Sequence, residues 1–291
     1  MRPALRADLA AVLALWQASD EAILGEVDTD ENDVLEDWDD PRVDLARDVV
    51  VVDSAAGGIV GYGSVVRRHT GHAELAVVTD PSRQDLAGPL LAALIERAGG
   101  EPLEVWVSPA DLALVAAVRD AGFRAERSFL RMTRALDGPV EAPTWPTGVT
   151  ARAYVPGADG AALYGTITGA FATHWRGSTP EPQDEWIART TAHPAFDPAL
   201  VTLAEQDGAT VGAVLAFDFD GLGWVRNLGV MPSHRGRGLG TALLVHTFGL
   251  LQHRGILRVD LGVDAANADG AIGLYEAAGM RQARSTDFWV R

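Results

Sequence analysis

The chain has 291 residues, 47% apolar and 22% charged, with a formal net charge of −16. That length holds one large core or two ordinary ones, and the composition excludes a disordered chain. Cys and Lys are both absent, which removes thiolate nucleophiles, cysteine zinc sites, Schiff-base lysines and P-loop lysines, and the acidic balance argues against tracking a nucleic-acid backbone.

In chain order, an Ala/Leu-rich stretch from Leu9 to Trp16 predicts a helix, and a polar, Trp-bearing segment follows from Glu31 to Trp38. A β-branched run from Asp48 to Asp53 predicts a strand, and a Gly turn leads to a second strand and then to another at Ala73–Val78. Next come a helix (Pro89–Ala98), a strand (Leu103–Val107), a short helix closing at Gly122 and a strand from Ser128 to Thr133. Leu136 to Gly148 holds three Pro and two Gly and predicts a linker. The series then repeats: a helix (Ala161–Phe171), a Trp-bearing segment (Pro180–Trp186), strands at Ala199–Glu205 and Trp224–Val230, and a helix (Thr241–His253). It ends with a strand (Leu257–Val263), a short helix closing at Gly279 and a strand (Ser285–Val290).

Local text supports an internal repeat. Val60-Gly61 recurs as Val211-Gly212, Asp80-Pro81-Ser82 as Met231-Pro232-Ser233, Asp8 as Asp159, and Asp120-Ala-Gly122-Phe123 as Ala277-Ala-Gly279-Met280. The expected organisation is residues 1–137, a linker at 138–147 and residues 148–291. No apolar run is long enough to span a membrane, and the N-terminal residues lack the apolar core of a signal peptide, so a soluble cytoplasmic protein is expected.

The chemistry concentrates in Asn227-Leu-Gly-Val-Met-Pro-Ser-His-Arg-Gly-Arg-Gly-Leu-Gly-Thr241. A strand ends, a Gly- and Arg-rich loop follows, and a helix begins. Glycines turn backbone N–H groups toward an anion and the helix start adds a favourable dipole, which together make a pyrophosphate cradle. Arg235 and Arg237 add charge. A dinucleotide fingerprint would require Gly at the position held by Thr241, although Asp260 follows at a compatible distance. A nicotinamide enzyme therefore stays open on the residues alone.

Arg235-Gly-Arg-Gly238-Leu-Gly240 resembles the Arg/Gln-x-x-Gly-x-Gly/Ala signature of the GNAT superfamily of N-acyltransferases. Leu228-Gly229-Val230 is similar to that family's splayed strand, and Val263 to Asn267 with Ala271 to Met280 resemble its downstream strand and helix. The two copies, the second better preserved, resemble a tandem-domain subgroup that includes mycothiol synthase. A carboxylate expected on the strand before the loop is missing, since Trp224, Val225, Arg226 and Asn227 stand there. The resemblance implies an α/β class, with two tandem folds each built on a mostly antiparallel sheet flanked by helices. It implies acetyl-CoA as acyl donor, no metal, and direct attack by a primary amine of a small acceptor. The net charge favours a cationic one, charge and the lack of an apolar span argue against nucleic-acid and membrane partners, and two fused copies favour a monomer. The donor would lie against Leu228, Gly229, Val230, Arg235, Gly236, Arg237, Gly238, Leu239, Gly240, Thr241, Asn267 and Tyr275, with the Val230 N–H polarising the thioester oxygen. Tyr275 is the expected acid for the departing thiolate. Asp264, His174, Asp218 and Asp220 are candidate bases, and Asn267 either touches the donor or caps a helix.

In the first copy the loop reads Arg83-Gln84-Asp85-Leu86-Ala87-Gly88, with Asp85 where phosphate would lie, and Val118 and Ala110 stand in place of Tyr275 and Asn267. That copy is expected to do no acyl transfer, and covering the acceptor site or holding CoA weakly stays open for it. His69 and His72 lack a third ligand and are expected in a solvated turn, and the acidic run from Glu26 to Asp40 in a solvated face. The rival from another functional class is a catalytically weak protein that binds acyl-CoA or an amine ligand.

Overall fold

The computed structural model describes residues 1–68, 71–172, 180–266 and 270–291. It forms two compact units, Met1–Phe129 with Arg284–Arg291, and Leu130–Ala283. The first part of the chain supplies β1 (Arg2–Pro3), α1 (Leu9–Leu24), α2 (Glu31–Trp38), α3 (Leu45–Asp48), β2 (Val49–Asp53), β3 (Ile59–Arg67), β4 (Ala73–Thr79), α4 (Ala87–Ala98), β5 (Leu103–Val107), α5 (Leu112–Asp120) and β6 (Arg124–Ala135). The remainder supplies β7 (Thr150–Ala153), α6 (Gly160–Phe171), α7 (Gln183–Ala192), β8 (Phe196–Gln206), β9 (Ala209–Phe219), β10 (Leu222–Val230), α8 (Leu239–His253), β11 (Arg258–Asp264), α9 (Ala271–Ala277) and β12 (Arg281–Val290).

The boundary read from the repeat follows the chain; the compact units do not. In the first unit the sheet runs β1-β2-β3-β4-β5-β12, so the C-terminal strand pairs antiparallel with β5, Asp287 opposite Val107 and Val290 opposite Glu104. In the second unit the order is β6-β11-β10-β9-β8-β7, with the Leu136 N–H donating to the Leu257 carbonyl. The last strands of the two copies are therefore exchanged. The linker between the copies is not a loose tether, because Val140 and Trp145 pack against the second core, and the Gln252 side-chain amide donates to the Leu136 and Gly138 carbonyls.

Each sheet is buried on both faces. Val49 and Val51 pack with Val12, Leu15 and Trp38 of α1 and α2, whereas Val50 lies on the α4–α5 side with Leu90, Leu94 and Val118, as the two-residue period of a strand requires. The second unit repeats this: Leu203 packs with Leu163 and Ile167 of α6, while Leu200 and Ala204 lie with Leu243 and Phe248 of α8. Asp207-Gly208 and Asp220-Gly221, all at positive φ, make the tight turns that link β8 to β9 and β9 to β10.

The duplication is visible in side-chain geometry. The Asp8 carboxylate accepts from the Arg2 guanidinium and the Leu5 N–H. Its counterpart Asp159 accepts from Arg152 and the Val155 N–H. In both copies that arginine also pairs with a carboxylate on or ending the adjacent strand, Asp53 of β2 or Glu205 of β8.

Candidate active site

The site is a wedge at one end of β10. Strand β10 pairs antiparallel with β9 from Leu222 to Val230, with a register shift between Val225 and Asn227. Its parallel pairing with β11 covers only Leu222–Trp224 against Arg258–Asp260. Beyond Trp224 the two strands, which run on to Val230 and Asp264, no longer pair with each other. A bulge both bends a strand and ends pairing beside it, which accounts for the opening.

The backbone of β10 aims into that opening. N–H groups of successive strand residues alternate sides. The Met231 N–H donates to the Val211 carbonyl on the β9 side at 3.0 Å, so the Val230 and Leu228 N–H groups face the side that β11 has left. Gly229 is needed here, since a Cβ on it would lie 3.0 Å from Ala170 Cβ and 3.2 Å from the Ile167 side chain. With glycine, α6 packs directly against the strand.

The loop beyond β10 passes through a short turn at Pro232–His234 to α8. Gly236 and Gly238 have φ of +71° and +82° with open space around the missing Cβ. Gly238 occupies the N-cap position of α8 and no side chain caps the helix, so the first-turn donors around Leu239, Gly240 and Thr241 are left for an anion. Gly240 has a different function: a Cβ there would lie 2.7 Å from Leu274 Cδ1, so its absence lets α8 and α9 approach. The two arginines separate. Arg235 turns inward, its Nε donating to the Val230 carbonyl at 3.2 Å and its Nη2 to the Ala170 carbonyl at 2.6 Å. Arg237 is exposed and, with His234 and Trp145, borders a cavity of ≈ 470 Å³ beside the loop.

Tyr275, on α9, is 9% exposed and shares a core cluster with the partly buried Leu228 and Val230. Burial pushes its phenol up to about 12, so it stays protonated until a strong base forms beside it. Asp264 ends β11, and its carboxylate accepts the Ala266 N–H at 2.8 Å in a turn. Asp218 accepts the Gly221 N–H in the β9–β10 turn, and Asp220 has a φ of +49° in that same turn. Both lie at the Leu222 end of β10, away from the loop. His174, Asn267 and His69 lie outside the described residues. No group of three or more metal-ligating side chains occurs among the described residues.

Sequence reasoning missed one charged cluster beside the wedge. Trp224 stands opposite Asp260 in register. Asp260 is fully buried and accepts from Arg131 at 2.7 Å and Arg258 at 2.8 Å, while the Arg131 guanidinium lies over the Trp224 ring, 4.9 Å from its centroid. Burial alone would raise the Asp260 carboxyl, but the bonds from Arg258, Thr133 and Arg131 hold it below its ordinary value. The aspartate is thus neutralised and spoken for. Only the long reach from β6 brings Arg131 here, and no local pattern in the sequence signals it.

In the first unit, the matching loop closes on itself. Arg83 pairs with Asp85 at 2.9 Å, a short turn at Gln84–Leu86 replaces the glycines, and the apolar Val118 is fully buried where Tyr275 stands in the second copy.

Residues 164–280 match the model of the acetyltransferase (GNAT) family. The mycothiol acetyltransferase of Kineococcus radiotolerans is 37% identical over 239 residues, covering 78% of this chain and 76% of that one. This chain belongs to the GNAT family. It is an acetyltransferase, and mycothiol acetyltransferase of Thermomonospora curvata is likewise 38% identical over 79% of this chain and 73% of its own. A GCN5-related N-acetyltransferase from Sphaerobacter thermophilus matches the whole GNAT chain at a TM-score of 0.87 and 30% identity, with 94% of that structure covered. A tandem GNAT protein from the clavulanic acid biosynthesis pathway shares the fold over 100% of this chain and 97% of its own, at a TM-score of 0.73 and 16% identity. Among the described residues, no helix is long and apolar enough to cross a membrane.

Proposed function

We propose that the second unit transfers an acetyl group from acetyl-CoA to a primary amine of a small molecule, within one ternary complex. The observation that carries this reading is the conjunction of an uncapped helix start behind two positive-φ glycines with a strand whose Leu228 and Val230 N–H groups face an open wedge. The donor's pyrophosphate would take the N–H groups from Gly236 to Thr241, with the exposed Arg237 adding its charge. Its pantetheine arm would pair along Leu228–Val230 as an added strand. Val230 N–H would then polarise the thioester oxygen in the tetrahedral intermediate.

The amine nitrogen bonds to the thioester carbon, and collapse of the intermediate breaks the C–S bond. Tyr275 gives its proton to the departing thiolate. The phenol is a weak acid by virtue of its burial, and that suits the task, because it stays neutral beside the thioester and yields its proton only as sulfur gains charge. No Cys exists to carry the acetyl group, in agreement with direct attack. Asp264 is the described carboxylate on the side of the loop, and it is the candidate that relays the amine proton outward, with His174 the alternative. With Trp224 in place of a carboxylate on β10, proton removal is weakly assisted. Turnover at saturating donor is therefore expected to rise with pH along the acceptor's own amine titration.

A thiol-release assay with acetyl-CoA and a panel of amino sugars, polyamines and amino acids tests the reading. Acetylation of one amine class, lost in Tyr275→Phe with donor affinity intact, supports it. Acetyl-CoA binding with no transfer to any amine would favour a donor-binding protein instead.

A further inference from the structure

The first unit carries a cavity of ≈ 340 Å³ that the transfer chemistry does not use, lined entirely by its own residues. It occupies the same topological place as the wedge of the second unit. Strand β4 pairs in parallel with β5 only from Ala73 to Leu75 against Leu103 to Val105, and beyond this the cavity opens along Ala76–Val78 and Trp106. The Asp80 N–H donates to the Val60 carbonyl, so by alternation the Thr79 and Val77 N–H groups turn to the open side. Protein interiors are otherwise close-packed, and a hole of this size at the lower end of the small-molecule range of ~300–1,000 Å³ is of a kind that holds a ligand.

Its walls do not fit coenzyme A. Six carboxylates line it, from Asp20, Asp28, Asp33, Asp37, Glu74 and Asp111, against one guanidinium, Arg284. Arg284 is already engaged by Asp28 and Glu26. Arg68 reaches Glu74 at 2.8 Å and Asp37 at 3.3 Å, which leaves the group acidic. Three aromatic rings, Trp16, Tyr62 and Trp106, share the lining with apolar side chains such as Ile23, Leu24 and Val34, and Trp16 and Tyr62 lie 6.0 Å apart. Carboxylates with aromatic faces in a concave, partly dry site attract a cation through charge and ring quadrupole together. Asp37 is pushed up to about 6, chiefly by burial, and Asp33 and Asp111 are raised for the same reason. Each of these carboxyls would gain from a cation inside.

We infer that the wedge of the first unit is a binding site for a small organic polycation, a molecule with two or more ammonium groups on a short carbon frame. The worn copy has kept the family's opening and replaced its anion-binding chemistry with the opposite charge. This inference stands apart from the proposed donor site, and either can fail alone.

Calorimetric titration of the full chain with spermidine at low ionic strength tests it, with triethylene glycol as a neutral probe. The expected result is one spermidine site per chain and no heat from the glycol. Glu74→Gln and Asp33→Asn should each weaken binding about tenfold. Asparagine at position 33 keeps the acceptor that Asp30 N–H uses, so the second variant holds the fold if the first releases Arg68 and loosens it. Acetyl-CoA affinity should stay unchanged in both. Three results would overturn the inference: no spermidine binding, an equal loss in Glu96→Gln on the exposed face of α4, or two acetyl-CoA sites with spermidine displaced by the second.

Discussion

Arg235 shows how a signature residue can act through backbone. Its guanidinium ties the Val230 carbonyl to the Ala170 carbonyl, so it fixes the strand end whose N–H faces the open wedge, where the proposed donor's thioester would lie. A lysine has no planar fork to reach both carbonyls. Arg235→Lys should therefore lower kcat several-fold more than it weakens acetyl-CoA binding; equal losses in both would place the side chain on the phosphates instead. Tyr275→Phe should lower kcat by about 10²–10⁴, the usual contribution of a positioned acid, with donor affinity kept, and a loss under threefold would remove Tyr275 from the chemistry. Burial pushes both Tyr62 and Tyr275 up to about 12, above the ordinary phenol value of about 10. The folded state thus holds these protons more tightly, and the stability they confer is complete below pH ~10 and lost as pH rises towards 12. Urea unfolding across that window should show the loss, and it should shrink in the two Tyr→Phe variants; an unchanged slope would contradict the assignment. The place of Tyr275 on a short helix closing at Gly279 was legible in the sequence. The inward turn of Arg235 and the Arg131–Asp260 pair were not, since both rest on contacts between residues far apart in sequence.

At the scale of elements, the strand-to-helix junction was read almost residue for residue, because glycine and proline mark it and local chemistry decides it. Two glycines there differ in kind. Gly238 needs its backbone angle, with nothing around its Cβ position, whereas Gly240 needs the space. Gly240→Ala should cost about 1–3 kcal/mol by forcing α8 from α9, as overpacked contacts do, and a melting temperature within error of the parent chain would show that Leu274 simply moves aside. The arginine–aspartate clasps at the start of each copy hold Asp8 and Asp159 below the ordinary carboxylate value, chiefly through the Arg2 and Arg152 hydrogen bonds. The stability they give is present above pH ~4 and is lost as pH falls below it. Asp8→Asn and Asp159→Asn should flatten acid unfolding in that range.

The whole molecule differs from a plain tandem of two copies. Sequence periodicity identified both end strands, Ser128–Thr133 and Ser285–Val290, but could not say which sheet each would join, because homologous strands present the same pattern to either. The structure exchanges them. A fragment cut at the linker, residues 148–291, loses β6 and keeps a β12 whose partner β5 is gone. It should lack a cooperative melt by circular dichroism; a transition near that of the full chain would show that the exchange is dispensable. The central claim is that acetyl-CoA lies over the Gly238 loop of the second unit and nowhere else. Titration calorimetry of acetyl-CoA into the full chain and into Gly238→Asp tests it most directly. One site per chain, abolished in the variant, is the predicted result. Undiminished binding in Gly238→Asp, or none in the parent chain, would contradict it.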